Sequence, residues 1–459
     1  LGFLLRPYQE ELITAARSEL LAGERSVLMV APTGAGKTAL AAFMLGTASA
    51  RGKRCWFLVH RRELVTQSSR TFDKVGIDHG IVSAGFAASP KSLVQICSVQ
   101  TLIKRMATVP APDMIVWDEA HHIASESWAK IFSMFPSAIH IGLTATPCRL
   151  DGRGLGDWFG VMVQGPTTKS LIGGGFLSPY RYFAPSNPDM DGVKSRGGDY
   201  IGSEVADKMD KPSVTGDAIK HYRRLCNGAR AIVFAANIQH SKNVVAQFSS
   251  AGYPAAHVDG TTERTERDKI LRDFELGRIL IVSNVDLFGE GFDLPAIEAA
   301  ILLRPTQSTG LFLQQVGRSL RMSEGKTQAV ILDHAGNVFR HGLPDEIREW
   351  SLDAKPKTKR EKAEKKSIKQ CPNCYGAHEA ELRICPCCGH EYIVEARKLE
   401  LRDGELAEVS PEEISKLRRK EQASAKSIDD LITLATARRY KNPRAWANHV
   451  YHARHRRFG

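Results

Sequence analysis

No run of apolar residues in this sequence approaches the roughly 18 that a membrane-spanning helix needs, so no span is expected. The first residues lack a basic region leading into an apolar stretch and a small-residue cleavage site, so no secretory leader is expected either. A framework of paired cysteines is also missing. Of nine cysteines, Cys55, Cys97, Cys148 and Cys226 stand singly and five crowd between Cys371 and Cys388. That distribution reads as a metal site in a reducing compartment, and a cytoplasmic protein is expected. Residues 431–459 contain no acid at all, only seven lysines and arginines, and residues 351–370 carry eight against three acids. Together these two stretches hold the whole net charge of +12, leaving the remainder neutral. Charge gathered in a linker and a tail suits contact with nucleic acid, although a Lys-rich linker also serves as a solvated spacer. Hydrophobic residues make up 42% of the chain, which excludes a disordered or fibrous protein. Its 459 residues suggest about three domains of roughly 150 residues each.

What the chain does contain is organised around Ala31-Pro32-Thr33-Gly34-Ala35-Gly36-Lys37-Thr38. An apolar run, Ser26 to Val30, precedes it and a helix-forming stretch, Ala39 to Leu45, follows. Strand, glycine loop and helix form the context of a phosphate-binding loop, with Ala31 where the strict pattern asks for glycine. Gly34 and Gly36, with Thr33 before them and Ala35 between, let backbone N–H groups curl around phosphate oxygens at a helix N-terminus. Lys37 would reach the β- and γ-phosphates of a nucleotide, and Thr38 would ligate Mg²⁺.

Upstream, Arg6 and Gln9 open a helix expected to run to about Leu21, and both are candidates to bind the base. Downstream, a strand over 54–59 leads to Arg61 and Arg62, and a strand over 93–97 leads to Gln100 and Thr101. Side chains at strand ends in an α/β fold lie where ligands bind, so these four are candidate phosphodiester contacts. A third strand, Met114 to Trp117, delivers Asp118 and Glu119. Asp118 would hold Mg²⁺ through its water shell, and Glu119 would orient and deprotonate an attacking water. A fourth, beginning at Ile139, ends in Thr144-Ala145-Thr146-Pro147.

The order Arg-x-x-Gln, Ala-Pro-Thr-Gly-Ala-Gly-Lys-Thr, Asp-Glu-Ala-His and Leu-Thr-Ala-Thr-Pro resembles superfamily 2 helicases and translocases of the DEAH-box kind. The resemblance implies an α/β fold of two tandem RecA-like parallel-sheet domains with ATP in the cleft between them. A second motif set follows, as it should. A strand over 231–235 precedes His240, a candidate nucleic-acid contact. Asp286-Leu287-Phe288-Gly289-Glu290-Gly291-Phe292-Asp293 is similar to the family's fifth motif, and Gly289 and Asp293 are implied at the nucleotide. Gln314-Gln315-Val316-Gly317-Arg318-Ser319-Leu320-Arg321 is similar to the sixth. Arg318 and Arg321, three apart on one helix face, resemble arginine fingers that reach the γ-phosphate. His121, Thr144, Thr146 and Gln314 are implied as residues coupling the nucleotide to the nucleic acid.

Near the C-terminus, Cys371-Pro-Asn-Cys374 and Cys385-Pro-Cys-Cys388 form two CxxC knuckles able to close a tetrahedral Zn²⁺ shell, with Cys387 left over. So short a module lacks a core of its own, so the metal is expected to fold it. Redox use of a CxxC is the rival reading. Beyond it the tail is expected to be helical and basic. Arg454, Arg456 and Arg457 are placed for phosphate contacts, and Trp446 and Tyr451 either stack on bases or pack the tail onto the body.

The domain boundaries expected are a RecA-like ATP-binding domain at 1–165, an interdomain connection at 166–210 and a second RecA-like domain at 211–350. A basic linker at 351–370, a zinc ribbon at 371–392 and a helical basic tail at 393–459 complete the chain. Within superfamily 2 the chain is similar to RadD-type bacterial or phage DNA-repair helicases across Arg6 to Asn337. That similarity implies ATP, Mg²⁺ and Zn²⁺ as cofactors and single-stranded, forked or branched DNA as partner, with single-strand-binding or other repair proteins. Three readings stay open: a DNA-stimulated motor, an RNA helicase, and a module in which ATP only switches grip on DNA or on a partner protein.

Overall fold

The computed structural model describes residues 4–87, 89–147, 154–184, 195–196, 199–200, 205, 209, 212–287, 297–353, 368–392, 419–425, 427–438, 440 and 442–455. It divides into two compact units, Leu1–Ile393 and Val394–Gly459.

The first unit is built on two parallel sheets. The first sheet comprises β1 (Ser26–Val30), β2 (Cys55–Val59), β3 (His79–Val82), β4 (Val94–Ser98), β5 (Met114–Asp118), β6 (Ile139–Thr144) and β7 (Val161–Gln164). Their spatial order is β3-β4-β2-β5-β6-β1-β7, and every pairing is parallel. A parallel sheet must be covered on both faces, which is why β2 reads as a continuous apolar run and both β2 and β4 are buried throughout. Side chains alternate faces along each strand. Val27 and Met29 join one core with Leu12, Leu40 and Phe72, from helices α1 (Pro7–Leu21), α2 (Lys37–Ser49) and α3 (Arg62–Lys74). Leu28 and Val30 join the other, with Trp56, Trp117 and Trp128. The ends of β1, β5 and β6 therefore emerge side by side at the carboxyl edge.

The second sheet contains β8 (Tyr180–Phe183), β9 (Ala231–Phe234), β10 (Ala255–Val258), β11 (Ile281–Asn284), β12 (Ala299–Leu302) and β13 (Ala329–Asp333). Its order is β10-β11-β9-β12-β13-β8, again all parallel. Both halves of the chain are thus RecA-like domains. Two departures from the expected boundaries stand out. The segment 166–210 is more than a connection, because β8 lies within it and pairs with β13 from Tyr180↔Ala329 to Phe183↔Leu332. Tyr182 and Phe183 are buried there. The second domain, in turn, does not simply end at 350. Trp350 and Leu352 pack on the tryptophan-rich core of the first sheet, and the Leu352 carbonyl accepts from Leu155 and Gly156 N–H, both at 2.9 Å. The chain straps one domain back to the other.

A small antiparallel pair, β14 (Ile368–Gln370) and β15 (Ala377–Glu379), carries the cysteine knuckles. Gly376 bridges to Phe183 and Ala377 is buried in the main core, so this module covers the free edge of β8. Covering an exposed edge removes a template for unwanted strand pairing.

The second unit, taken by itself, is a helical hairpin of α12 (Ile428–Ala437) and α13 (Pro443–His455) around Leu431, Ala447 and Val450. Trp446 and Tyr451 are half-buried against that small core, and Trp446 also meets the Tyr440 ring at 5.0 Å. Both aromatics pack within the hairpin itself. α12 opens on a capping box in which Ser427 and Asp430 exchange backbone hydrogen bonds.

One buried contact pins β8 to β13. Tyr182 donates its hydroxyl to Asp333 at 2.8 Å, and Asp333 also accepts from Ala335 N–H and Val338 N–H. Burial pushes the Asp333 carboxyl up, with the Val338 and Tyr182 hydrogen bonds pulling against it. Tyr182→Phe should therefore lower stability by about 1–3 kcal/mol, read from urea unfolding midpoints.

Candidate nucleotide cleft and metal centre

The loop after β1 is held from below by α1. Tyr8 donates its hydroxyl to the Ala35 carbonyl at 3.1 Å and Gln9 donates its amide to the same oxygen at 3.0 Å. The Gln9 carbonyl accepts from Arg6 N–H at 3.0 Å. Gln9, expected to read a base, thus also fixes the loop. Gly36 has φ 80°, and a Cβ there would sit 2.6 Å from the Gln9 amide nitrogen, so both conformation and space demand glycine.

Arg6, Thr33, Gly34, Gly36, Lys37, Thr38, Asp118 and Glu119 line a cleft of ≈ 370 Å³. Gln314, Arg318 and Arg321, from or just beyond helix α10 (Thr309–Ser319) of the second domain, line it from the other side. The structure therefore gathers most of the expected nucleotide residues around one space. Phe176 is also there, with the Arg6 guanidinium 5.2 Å from its ring and Tyr8 edge-on at 5.0 Å. Sequence reasoning missed Phe176 because it lies just after Gly173-Gly174-Gly175, a stretch without a legible pattern.

Lys37 Nζ stands 3.9 Å from Glu119 Oε1. Glu119 Oε2 lies 3.6 Å from His121 Nδ1, and it is buried without a hydrogen-bond partner among the described residues. Glu119 adopts left-handed backbone, φ 48° and ψ 53°, a conformation uncommon outside glycine that clusters at functional sites. His121 Nδ1 is 3.1 Å from Thr144 Oγ1, which donates to the Thr146 carbonyl at 3.2 Å. Thr146 in turn abuts Gly310 of α10, where a Cβ would lie 3.1 Å from its hydroxyl. A contact chain thus runs from Glu119 to the opposite domain.

The two domains meet elsewhere too. Arg61 donates to the Asp286 carbonyl at 3.0 Å, and Arg267 pairs with Glu63 at 2.8 Å. Burial works against the Glu63 carboxylate, but its own backbone N–H and the Arg267 guanidinium hold it below the usual carboxylate range. Of the expected nucleic-acid contacts, Arg61 is thus engaged across the seam and Arg62 lies over the Phe86 ring at 5.8 Å. Gln100 donates to the His60 carbonyl at 3.1 Å, and Thr101 lies 3.4 Å from Ser98 Oγ. His240 requires correction. It is fully buried, its Nδ1 facing Ala236 N–H at 3.4 Å, because α8 (Ile238–Ser250) turns that face inward against the sheet. It therefore offers a polynucleotide no surface. Gly289, Asp293, Arg456, Arg457 and the Arg454 side chain lie outside the described residues.

In the cysteine module, the Sγ atoms of Cys371, Cys374, Cys385 and Cys388 all lie within 4.8 Å of one another. Cys371 and Cys388 are 3.8 Å apart and Cys374 and Cys385 3.7 Å. A disulfide needs about 2.05 Å, whereas a tetrahedron with bonds of about 2.3 Å has edges of about 3.8 Å. The four sulfurs fit a zinc ion. Cys387 is not one of this group and sits against Gly376.

Residues 2–149 match the family described as Type III restriction enzyme, res subunit, and residues 217–323 match the helicase conserved C-terminal domain. A "51.5 kDa protein" of a Lactococcus phage is 35% identical over 390 residues, covering 84% of this chain and 83% of that protein. The chain belongs to the superfamily 2 helicases. Members of this family are nucleic-acid-dependent ATPases, and this superfamily 2 chain carries both helicase domains. The putative mitochondrial ATP-dependent helicase irc3 of Schizosaccharomyces pombe is 30% identical, covering 75% of this chain and 61% of its own length. A fragment of a putative HsdR subunit of a type I restriction enzyme from Vibrio vulnificus shares the fold. Its TM-score is 0.59 at 24% identity, over 75% of this chain and 67% of that one. So does a DNA-bound Type ISP restriction-modification enzyme, LlaBIII, at TM-score 0.54 and 20% identity, over 72% of this chain and 28% of that one. No helix of the described residues is long and apolar enough to cross a membrane.

Gly317 approaches the phosphate loop closely, since an added Cβ would stand 2.7 Å from Thr33 Cβ. Gly317→Val should push α10 away from the loop, cut kcat for ATP at least about tenfold and cost about 1–3 kcal/mol of stability. A steady-state ATPase assay beside a melting curve checks this.

Proposed function

We propose that this chain is an ATP-driven DNA helicase or translocase of the DEAH-box kind, similar to RadD-type enzymes, acting in DNA repair, recombination or phage DNA metabolism. One observation carries the reading: Lys37 and Glu119 of one domain face Arg318 and Arg321 of the other across a single cleft. In that arrangement loop N–H groups and Lys37 hold the β- and γ-phosphates. Thr38 and Asp118 present a hydroxyl and a carboxylate, a donor set suited to Mg²⁺, which when bound neutralises phosphate charge. The unpartnered Glu119 oxygen takes the proton of the attacking water, and Arg318 and Arg321 stabilise charge on the γ-phosphoryl group. Arg6 and Phe176, in contact with each other, line the part of the cleft that takes the base. His121, Thr144 and Thr146 relay the state of the site to α10. Cys371, Cys374, Cys385 and Cys388 would hold a zinc ion that would stiffen the cover over β8, and the basic C-terminal residues Arg454, Arg456 and Arg457 add phosphate contacts.

DNA as the track is supported by the similarity to a DNA-bound restriction-modification enzyme and by positive charge concentrated at 351–370 and 431–459. Other proteins of DNA repair, single-strand-binding proteins among them, are the partners this role implies.

Lys37→Ala should abolish hydrolysis. Glu119→Gln should retain ATP binding while turnover falls about 10²–10⁴-fold, as loss of a general base does; normal turnover would remove Glu119 from that role. Deleting residues 428–459 should weaken DNA binding and flatten its salt dependence, measured by anisotropy from low to high salt. For the metal, one zinc per chain by elemental analysis, lost together with stability in Cys371→Ser, is expected.

A further inference from the structure

The helix that carries Arg318 ends at Ser319, where an α-helix leaves its last carbonyls without intrahelical partners. Here four of the carbonyls from Val316 to Arg321 meet specific donors. Ser319 Oγ donates to Val316 at 2.8 Å, and Ser178 N–H donates to Leu320 at 2.7 Å. The remaining acceptors converge on one buried ammonium, that of Lys326. Its Nζ donates to the carbonyls of Arg321 and Ile297, both at 2.8 Å, and to that of Ser319. Three N–H groups meet three oxygens, so the cation is fully satisfied with only 7% of the residue exposed. Burial pushes this ammonium down to about 8, with Glu298 pulling it back up, so holding a charge here is costly. The oxygens it gathers come from the end of α10, from Arg321 itself, and from Ile297, which follows the Asp286–Asp293 motif.

We propose that Lys326 is a positioning residue that fixes Arg318 and Arg321 at the γ-phosphate by clamping the end of α10 to the segment after the fifth motif. This rests on the reading of those arginines as phosphate ligands. A cation at a helix C-terminus also complements the helix dipole, so the clamp and the electrostatics act together. A misplacement of about 1 Å at a reacting centre can cost on the order of 10²-fold in rate.

The test is a double-mutant cycle in the full chain, with nucleic-acid-stimulated and single-turnover hydrolysis as readouts. Lys326→Met keeps the side-chain length and removes charge and donors. It should lower kcat at least about tenfold while KM for ATP moves less than about threefold. In an Arg318→Ala, Arg321→Ala background the same change should cost less than about twofold, because the groups it positions are gone. Lys326→Gln, which keeps two donors, should fall between. Equal losses in both backgrounds, or a loss confined to KM, would overturn the proposal. Failure of both variants to fold would assign Lys326 to the core alone and overturn it as well. An Arg318→Ala single variant with normal kcat would instead remove the arginine-finger reading, whatever Lys326 does.

Discussion

The cleft depends on how closely α10 can approach the phosphate loop. Two glycines set that distance from opposite sides. Gly317 admits Thr33, and Gly34 admits Leu177 and the Arg321 stem, where added Cβ atoms would stand 2.7 Å, 2.8 Å and 3.5 Å from their neighbours. At such separation Arg318 and Arg321 share one small space with Lys37 and Glu119. Anything bound there is shielded from bulk water, and charged groups act on it more strongly than they would at a surface. The contacts that keep the domains together, Arg61 on Asp286 and Arg267 on Glu63, lie away from the cleft and leave its walls free for ligand.

The same closeness explains the chain from Glu119 through His121 and Thr144 to Thr146 and Gly310. Its first three links are polar contacts of 3.1–3.6 Å, and its last is the packing of Thr146 on Gly310 of the opposite domain. The segment 344–353 adds a second, apolar link, since Leu352 and Trp350 bury themselves in the first domain after the second has been completed. A motor needs two bodies that move relative to each other without separating, and a strap with few hydrogen bonds meets that need.

Much of this was legible in the sequence for a physical reason. Parallel strands buried on both faces give continuous apolar runs, and ligand loops follow their carboxyl ends, so Asp118 and Thr144 could be assigned to strand ends and Lys37 to the loop after a strand from pattern alone. Four cysteines in two knuckles were equally plain. What was not legible depends on distant contacts. β8 is four residues among glycines and prolines, and only its pairing with β13 makes it a strand. His240 reads as a surface residue at a helix start, yet its helix turns it fully into the interior. Phe176 has no local signal, and Lys326 looks like any lysine in a polar turn until three carbonyls from two other segments converge on it.

The central claim is that hydrolysis in this cleft is geared to DNA. The most direct measurement is the steady-state ATPase rate without nucleic acid and with single-stranded, duplex and forked DNA and RNA, at fixed salt. Strong stimulation by DNA over RNA, greatest on a single-stranded or forked form, is the result predicted. Equal stimulation by RNA would contradict the DNA assignment, and no stimulation by any polynucleotide would contradict the motor itself.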